Sequence, residues 1–94
     1  MARYMVIETF HAGAARVYER TEQRGRMLPA GLNYVESWVD ATTLDRCFQL
    51  METEHPELFE QWTCHWDDLV QFEIVPVVGT ADARARVAAT SGSG

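Results

Sequence analysis

The segment spanning residues 32–52 reads LNYVESWVDATTLDRCFQLME and contains two strand-like runs around a short polar linker. Residues 32–40 carry Val, Tyr and Trp at the density that is typical of strands, and residues 46–52 form a second such run. The linker between them is ATTLD. The pattern therefore predicts that the two strands form a hairpin.

One strand and one helix are predicted before this hairpin. Residues 4–10 (YMVIETF) form a β-rich run, which His11-Ala12-Gly13 breaks. Apolar side chains then recur at helical spacing over residues 14–27, while charged residues fill the other faces. Gly25 and Pro29 lie where a helix commonly ends. A surface helix with one packed stripe is expected here.

A second helix and a fourth strand are predicted after the hairpin. Residues 53–55 supply a capping region, and Pro56 suits the first turn of a helix. An apolar stripe that includes Trp62 and Trp66 runs from Leu58 to Val70. The last strand is expected over residues 72–78. It contains Pro76, which cannot donate a hydrogen bond to a neighbouring strand, so an edge position is expected.

These elements predict an α+β fold with the ferredoxin-like order β-α-β-β-α-β. Such a fold has a four-stranded antiparallel sheet with two helices on one face. At 94 residues the chain has room for one modest core and no second domain. We expect one domain over residues 1–80 and a C-terminal tail over residues 81–94, weakly helical and then disordered.

Composition excludes several classes of protein. A hydrophobic content of 47% is too high for a disordered chain, and no apolar run approaches the roughly 20 residues that cross a bilayer. No export signal marks the N-terminal residues, so a cytoplasmic location is expected. The net charge is −6 and the arginines are scattered, which argues against nucleic acid as a partner. Cys47 and Cys64 are too few for a disulfide scaffold, so reduced thiols are expected.

Strand alternation divides the predicted sheet into two faces. The expected helix-facing core is nearly all apolar and comprises Met5, Ile7, Val35, Val39, Phe48, Leu50, Phe72, Ile74 and Val78. The opposite face mixes large apolar groups with carboxylates and comprises Val6, Glu8, Phe10, Tyr34, Glu36, Trp38, Cys47, Gln49, Met51, Glu73, Val75 and Val77. This second face must be solvated, covered by the tail or covered by a partner.

The second face favours a homodimer. Four strands at ~4.8 Å spacing and about six residues at ~3.3 Å rise give roughly 380 Å² in projection. An apolar patch of that size is often functional in a monomer. Two such faces, paired, approach the ~1,200 to 2,000 Å² of a standard interface. Association through the sheet face is therefore expected, with cover by the tail or another oligomer as the alternatives.

Four groups of segments carry a resemblance to a known family: MVIETF, GRMLP, the hairpin YVESWVD with RCFQLMET, and WDDLVQFEIVPV. On these segments the chain resembles a family of short bacterial proteins of unknown function in the dimeric α/β-barrel superfamily. The resemblance covers nearly everything from residue 4 to residue 78. It implies the fold and leaves the activity open, since the superfamily includes cofactor-free oxygenases, isomerases, haem-handling proteins and assembly modules.

The polar side chains of the second face are the candidate functional residues. Crowded carboxylates in a closed interface repel one another, and their desolvation raises at least one pKa into the range that is useful for proton transfer. The leading hypothesis is a small-molecule pocket, and its more specific form is a cofactor-independent enzyme. Its assignments are proton transfer to Glu8, Glu36 or Glu73, orientation to Gln49, stacking to Trp38 and Tyr34, and further wall positions to Cys47 and Met51. Alternatively, the glutamates pair with arginines such as Arg46 or Arg26, or lie at the wet rim of the dimer.

Two other functions remain open. The first is a non-catalytic dimeric assembly or binding module, whose polar face sets the register of the dimer. The second, of lower rank, is haem binding at His65, which lies between Trp62 and Trp66. Cys47 is interpreted as a buried structural thiol. Cys47 and Met51 are about 13 Å apart along a strand and cannot share one ion, so no metal site and no cofactor are expected.

Overall fold

Seven elements follow one another in the computed structural model, which describes residues 1–92. They are β1 (Ala2–Phe10), α1 (Ala14–Arg24), β2 (Asn33–Val39), β3 (Arg46–Thr53), α2 (Leu58–Thr63), β4 (Val70–Val77) and α3 (Thr80–Gly92). The four strands form one antiparallel sheet in the order β2-β3-β1-β4. The ferredoxin-like α+β architecture is thereby confirmed.

The strand order also confirms two narrower predictions. β2 and β3 pair as an antiparallel hairpin, and β4 lies at a sheet edge with Pro76 in it. β1 occupies a central position between β3 and β4, where it pairs over its length with both.

Both helices end earlier than the sequence predicts. α1 ends at Arg24 because Gly25 and Met27 adopt left-handed backbone angles, with φ of 67° and 60°. α2 ends at Thr63, and turns with three-residue hydrogen bonds follow it, from His65 to Trp62 and from Trp66 to Thr63. Trp66 is nevertheless buried.

Both helices pack on one face of the sheet, but the faces predicted for β1 and β3 are wrong. The buried core joins Val17 of α1 and Phe59 and Trp62 of α2 to Val6, Phe10, Cys47 and Met51 of the central strands. Four residues expected in this core lie on the opposite, open face: Met5, Ile7, Phe48 and Leu50. Alternation misleads because both faces are largely apolar, and because the polar Glu8 and Gln49 are buried beneath the helices.

β2 departs from simple alternation. Its register on β3 shifts between Tyr34, which pairs with Met51, and Glu36, which pairs with Leu50. Tyr34 therefore shares the helix-covered face with Met51, whereas Glu36 and Trp38 lie on the open face. The prediction that these three residues of β2 share a face is wrong, since the bulge at Val35 adds one residue to the strand.

α3 extends the chain beyond the sheet. Residues 80–90 are exposed apart from the half-buried Ala83, so this helix packs little against the sheet. The expected tail is thus a helix through Gly92, while residues 93–94, at the end where disorder is expected, lie outside the described residues. Within residues 1–92, no helix has the length and apolar character that crossing a membrane requires.

Candidate functional site

A cavity of about 100 Å³ lies between the sheet and the layer of helices. Its apolar walls are Phe10, Val17, Tyr18, Val39, Trp62 and Trp66. Its polar groups are Glu8, Thr21, Arg26, Ser37, Cys47 and Gln49. An apolar space with a few convergent polar groups is the usual form of a small-molecule site.

Glu8 lies at the centre of this arrangement. It occupies the middle of β1, opposite Cys47 on β3 and Phe72 on β4, and only 8% of it is exposed. Burial raises the pKa of its carboxyl from 4.5 to about 7, and the positive charge of Arg26 opposes the rise. No hydrogen bond within residues 1–92 satisfies this carboxyl, so it is a desolvated acid beside open space.

The neighbouring Cys47 thiol remains protonated at neutral pH. Burial first, and the charge of Glu8 second, raise its pKa to about 12. Because the thiolate is the reactive form of cysteine, such a thiol is inert. Cys47 therefore contributes a small apolar wall.

Arg26 reaches the cavity from the loop of residues 25–31, GRMLPAG, which we call the arginine loop. Its backbone carbonyl accepts hydrogen bonds from the indole nitrogens of Trp62 and Trp66, at 3.0 and 3.2 Å. These bonds hold the loop over the turns that follow α2. Met27, the next residue, has a φ of 60°, a conformation that side chains rarely adopt and that the surrounding contacts must maintain.

The side chain of Arg26 is held by β2. Its guanidinium carbon lies 3.7 Å from the centre of the Tyr34 ring, and the Tyr34 hydroxyl is 2.8 Å from Ser37 Oγ. The Arg26 Nε atom is buried and has no hydrogen-bond partner in the described part of the chain. Arg26 lines the cavity, and no hydrogen bond or ion pair in the described part of the chain engages its guanidinium.

The family model that describes a domain of unknown function (DUF3303) matches residues 2–91. The chain belongs to this family. No curated protein and no solved structure matches the chain significantly. Family membership agrees with the resemblance drawn from the sequence to an uncharacterised family, and it leaves the activity to be argued from the site.

Three of the residues singled out from the sequence line the cavity of this DUF3303 domain: Glu8, Cys47 and Gln49. Met51 lies next to it, fully buried, and its sulfur accepts a hydrogen bond from Gln49 Nε2 at 3.3 Å. Tyr34 supports the cavity through Arg26. The structure thereby joins five of the eight candidates on one side of the sheet.

The other three candidates are on the open face. Glu36 pairs with Leu50, Trp38 with Phe48 and Glu73 with Ile7, and the partner in each pair belongs to the open face. Trp38 is 49% exposed. These side chains are therefore separated from the cavity by the sheet itself.

Sequence reasoning missed the contribution of Arg26 and of the aromatic walls. The helical spacing predicts Arg26 inside the first helix, although Gly25 before it marks the helix end and assigns Arg26 to a loop. Trp62 and Trp66 belong to the predicted apolar stripe, and their shared hydrogen-bond acceptor depends on a tertiary contact that no local pattern contains.

Two further candidates lie apart from the cavity. His65 is exposed, and its backbone carbonyl accepts a hydrogen bond from Arg20 at 2.9 Å. Among residues 1–92, no three side chains of His, Cys, Asp or Glu are grouped in a way that could hold a metal ion. The cavity is therefore the site from which a function is argued.

Proposed function

We propose that this DUF3303 domain binds a compact organic molecule in the cavity beneath its helices, and that Glu8 exchanges a proton with that molecule. The observation that carries the proposal is the buried Glu8 carboxyl, which has no hydrogen bond in the described chain and faces open space. Desolvated acids of this kind are concentrated at functional sites.

The volume of the cavity limits the ligand. An engineered protein cavity of roughly 150 Å³ admits benzene, which has six non-hydrogen atoms, so a space of about 100 Å³ suits a molecule of roughly four to six non-hydrogen atoms. A haem macrocycle is far larger than this space. Haem binding at the exposed His65 is therefore not part of the proposal.

The chemistry assigned to the site is acid–base transfer without a cofactor. A carboxyl whose pKa is about 7 exists in both protonation states at neutral pH, so Glu8 can donate or accept a proton. The Arg26 guanidinium supplies positive charge where negative charge would develop on a ligand. Gln49 would orient the ligand, and Trp62 and Trp66 would form its apolar wall. Glu36 and Glu73 have no role in this cavity.

We further propose that two copies associate through the open face. Its central rows are apolar and half-buried, and comprise Met5, Ile7, Phe48, Leu50 and Val75. Carboxylates (Glu36, Glu73) and guanidiniums (Arg3, Arg46) surround them on the same face, so a two-fold contact can bring opposite charges together. Dimerisation alone would also satisfy the alternative function, that of a non-catalytic assembly module.

A fluorescence titration tests the binding proposal. The chain has three tryptophans, of which Trp62 and Trp66 line the cavity and Trp38 does not. The Trp38→Phe variant therefore reports on the cavity alone. We expect saturable fluorescence changes with at least one member of a panel of neutral, carbonyl and carboxylic compounds of roughly four to six non-hydrogen atoms.

A matched pair of variants gives the control. At about pH 8.5, where Glu8 is ionised, Glu8→Gln should change the affinity of any bound compound about tenfold or more, whereas Glu36→Gln, on the other side of the sheet, should leave it unchanged. Absence of binding across the whole panel, or equal effects of the two substitutions, would contradict the proposal and favour the assembly module.

A further inference from the structure

Two polar groups at the cavity are without partners in the described chain. One is the Glu8 carboxyl, and the other is the Arg26 guanidinium, and both residues line the cavity. A polar group that is shielded from water and lacks a partner is costly, so a ligand that bonds to both groups gains affinity from each. The identity of these groups therefore constrains the chemistry of the ligand.

Both groups can act as donors. The Arg26 guanidinium donates and cannot accept, and a protonated Glu8 carboxyl has one O–H to donate. A carboxylate offers two acceptor oxygens, one for each donor, and its charge complements that of the guanidinium. An uncharged ligand would leave the Arg26 charge without a counter-ion.

We propose that the ligand of this cavity is a compact, apolar monocarboxylate, and that it binds only when Glu8 carries a proton. The inference rests on the proposed binding function and specifies its ligand class and its dependence on pH. The carboxylate would lie between Glu8 and Arg26, and its hydrocarbon part would contact Phe10, Trp62 and Trp66.

The proton is required because an ionised Glu8 competes with the ligand. Two carboxylates beside one guanidinium repel each other, and ionised Glu8 would itself neutralise Arg26. The other titratable groups that face Glu8 are Tyr18 from α1 and Cys47 from β3, and burial raises the pKa of both, so they stay neutral. Proton-coupled binding at this site therefore depends on Glu8.

Butyrate and its uncharged analogue butyramide provide the test, titrated into the Trp38→Phe protein at constant ionic strength. With a Glu8 pKa of about 7, the fraction of protein that is competent to bind falls roughly 30-fold between about pH 6 and about pH 8.5. We expect the Kd for butyrate to rise by that factor, whereas butyramide should bind more weakly and without this dependence.

Variants at the two donors make the test specific. Glu8→Gln, which keeps a donor and cannot ionise, should hold the butyrate Kd constant over the same pH range. Arg26→Met should abolish butyrate binding at every pH. Arg26→Lys, which keeps the charge but lacks the planar set of guanidinium donors, should weaken it at least tenfold. Near-ultraviolet circular dichroism confirms that each variant retains its tertiary packing.

The possible failures are distinguishable. If uncharged compounds of the panel bind and butyrate does not, the carboxylate inference is overturned while the binding function stands. A butyrate Kd that is constant with pH, or a Glu8→Gln variant that keeps the pH dependence of the parent, overturns the coupling to Glu8. Failure of every compound to bind overturns both proposals together.

Discussion

Glu8 makes the stability of this small domain depend on pH. Burial raises its pKa from 4.5 to about 7, so between these values the folded chain holds a proton that the unfolded chain has lost. The favourable contribution of this proton to the free energy of unfolding is complete below about pH 4.5. It is lost as the pH rises to about 7. A shift of this size corresponds to roughly 3 kcal/mol.

Replacement of Glu8 by glutamine removes this dependence. We expect Glu8→Gln to gain stability relative to the parent between pH 5 and pH 8.5, by about 2 to 3 kcal/mol, because only the parent must bury an ionised group at the higher pH. Urea unfolding followed by circular dichroism at both pH values measures the difference. Glu36→Gln, on the open face, is the matched control and should not reproduce this gain. A Glu8→Gln difference that does not change with pH would mean that Glu8 is solvated in the folded protein.

At the scale of elements, the arginine loop depends on contacts at both of its ends. The carbonyl of Arg26 accepts the two indole N–H groups, and the carbonyl of Gly31 accepts the hydroxyl of Thr53 at 2.8 Å. Thr53 is fully buried at the end of β3. The loop thus presents Arg26 to the cavity because strand and turn residues hold its backbone.

A double-mutant cycle on the two tryptophans tests this account. Either Trp62→Phe or Trp66→Phe leaves the Arg26 carbonyl with one donor, whereas the double variant leaves it with none. We therefore expect the loss in unfolding free energy of the double variant to exceed the sum of the single losses by about 1 to 3 kcal/mol. Urea denaturation of the parent, the two single variants and the double variant gives the coupling free energy between the two tryptophans. Additivity within about 0.5 kcal/mol would mean that the shared acceptor contributes nothing.

The sequence predicts the order of the strands and helices but not which face of the sheet the helices cover. The strand order, the hairpin and the edge position of β4 follow from apolar runs, breakers and Pro76, which are local signals. The sidedness of the sheet does not follow, because Met5 and Ile7 on one face are as apolar as Val6 and Phe10 on the other.

The candidate site was predicted in part for the same reason. Glu8 and Gln49 were grouped correctly, since alternation fixes which residues share a face of β1 and β3. The bulge at Val35 separates Tyr34 from Glu36 and Trp38, and no residue in β2 signals it. Arg26 enters the site through hydrogen bonds to residues 36 and 40 positions away in the chain. Such long-range contacts lie outside any periodicity.

At the scale of the whole molecule, the sheet has helices on one side and an open face on the other. The shortest dimension of the chain is 19 Å, which suits one sheet and one layer of helices. α3 adds no further layer over residues 80–90, because its side chains there are exposed apart from the half-buried Ala83. A second copy would supply the missing layer and would cover Trp38 and the apolar rows.

A charge placed in the centre of the open face tests this arrangement. We expect Ile7→Glu to convert a dimer into a monomer at micromolar concentration, because burial of two unpaired carboxylates at a two-fold contact costs several kcal/mol. Ala15→Glu, on the exposed surface of α1 on the helix side, should leave the dimer intact. Light scattering during size-exclusion chromatography gives the mass of each protein.

Because the cavity lies on the other side of the sheet, a folded Ile7→Glu monomer should still bind the ligand of the parent. A parent that is itself monomeric would contradict the dimer, whereas loss of binding together with loss of the dimer would show that the cavity depends on the partner subunit.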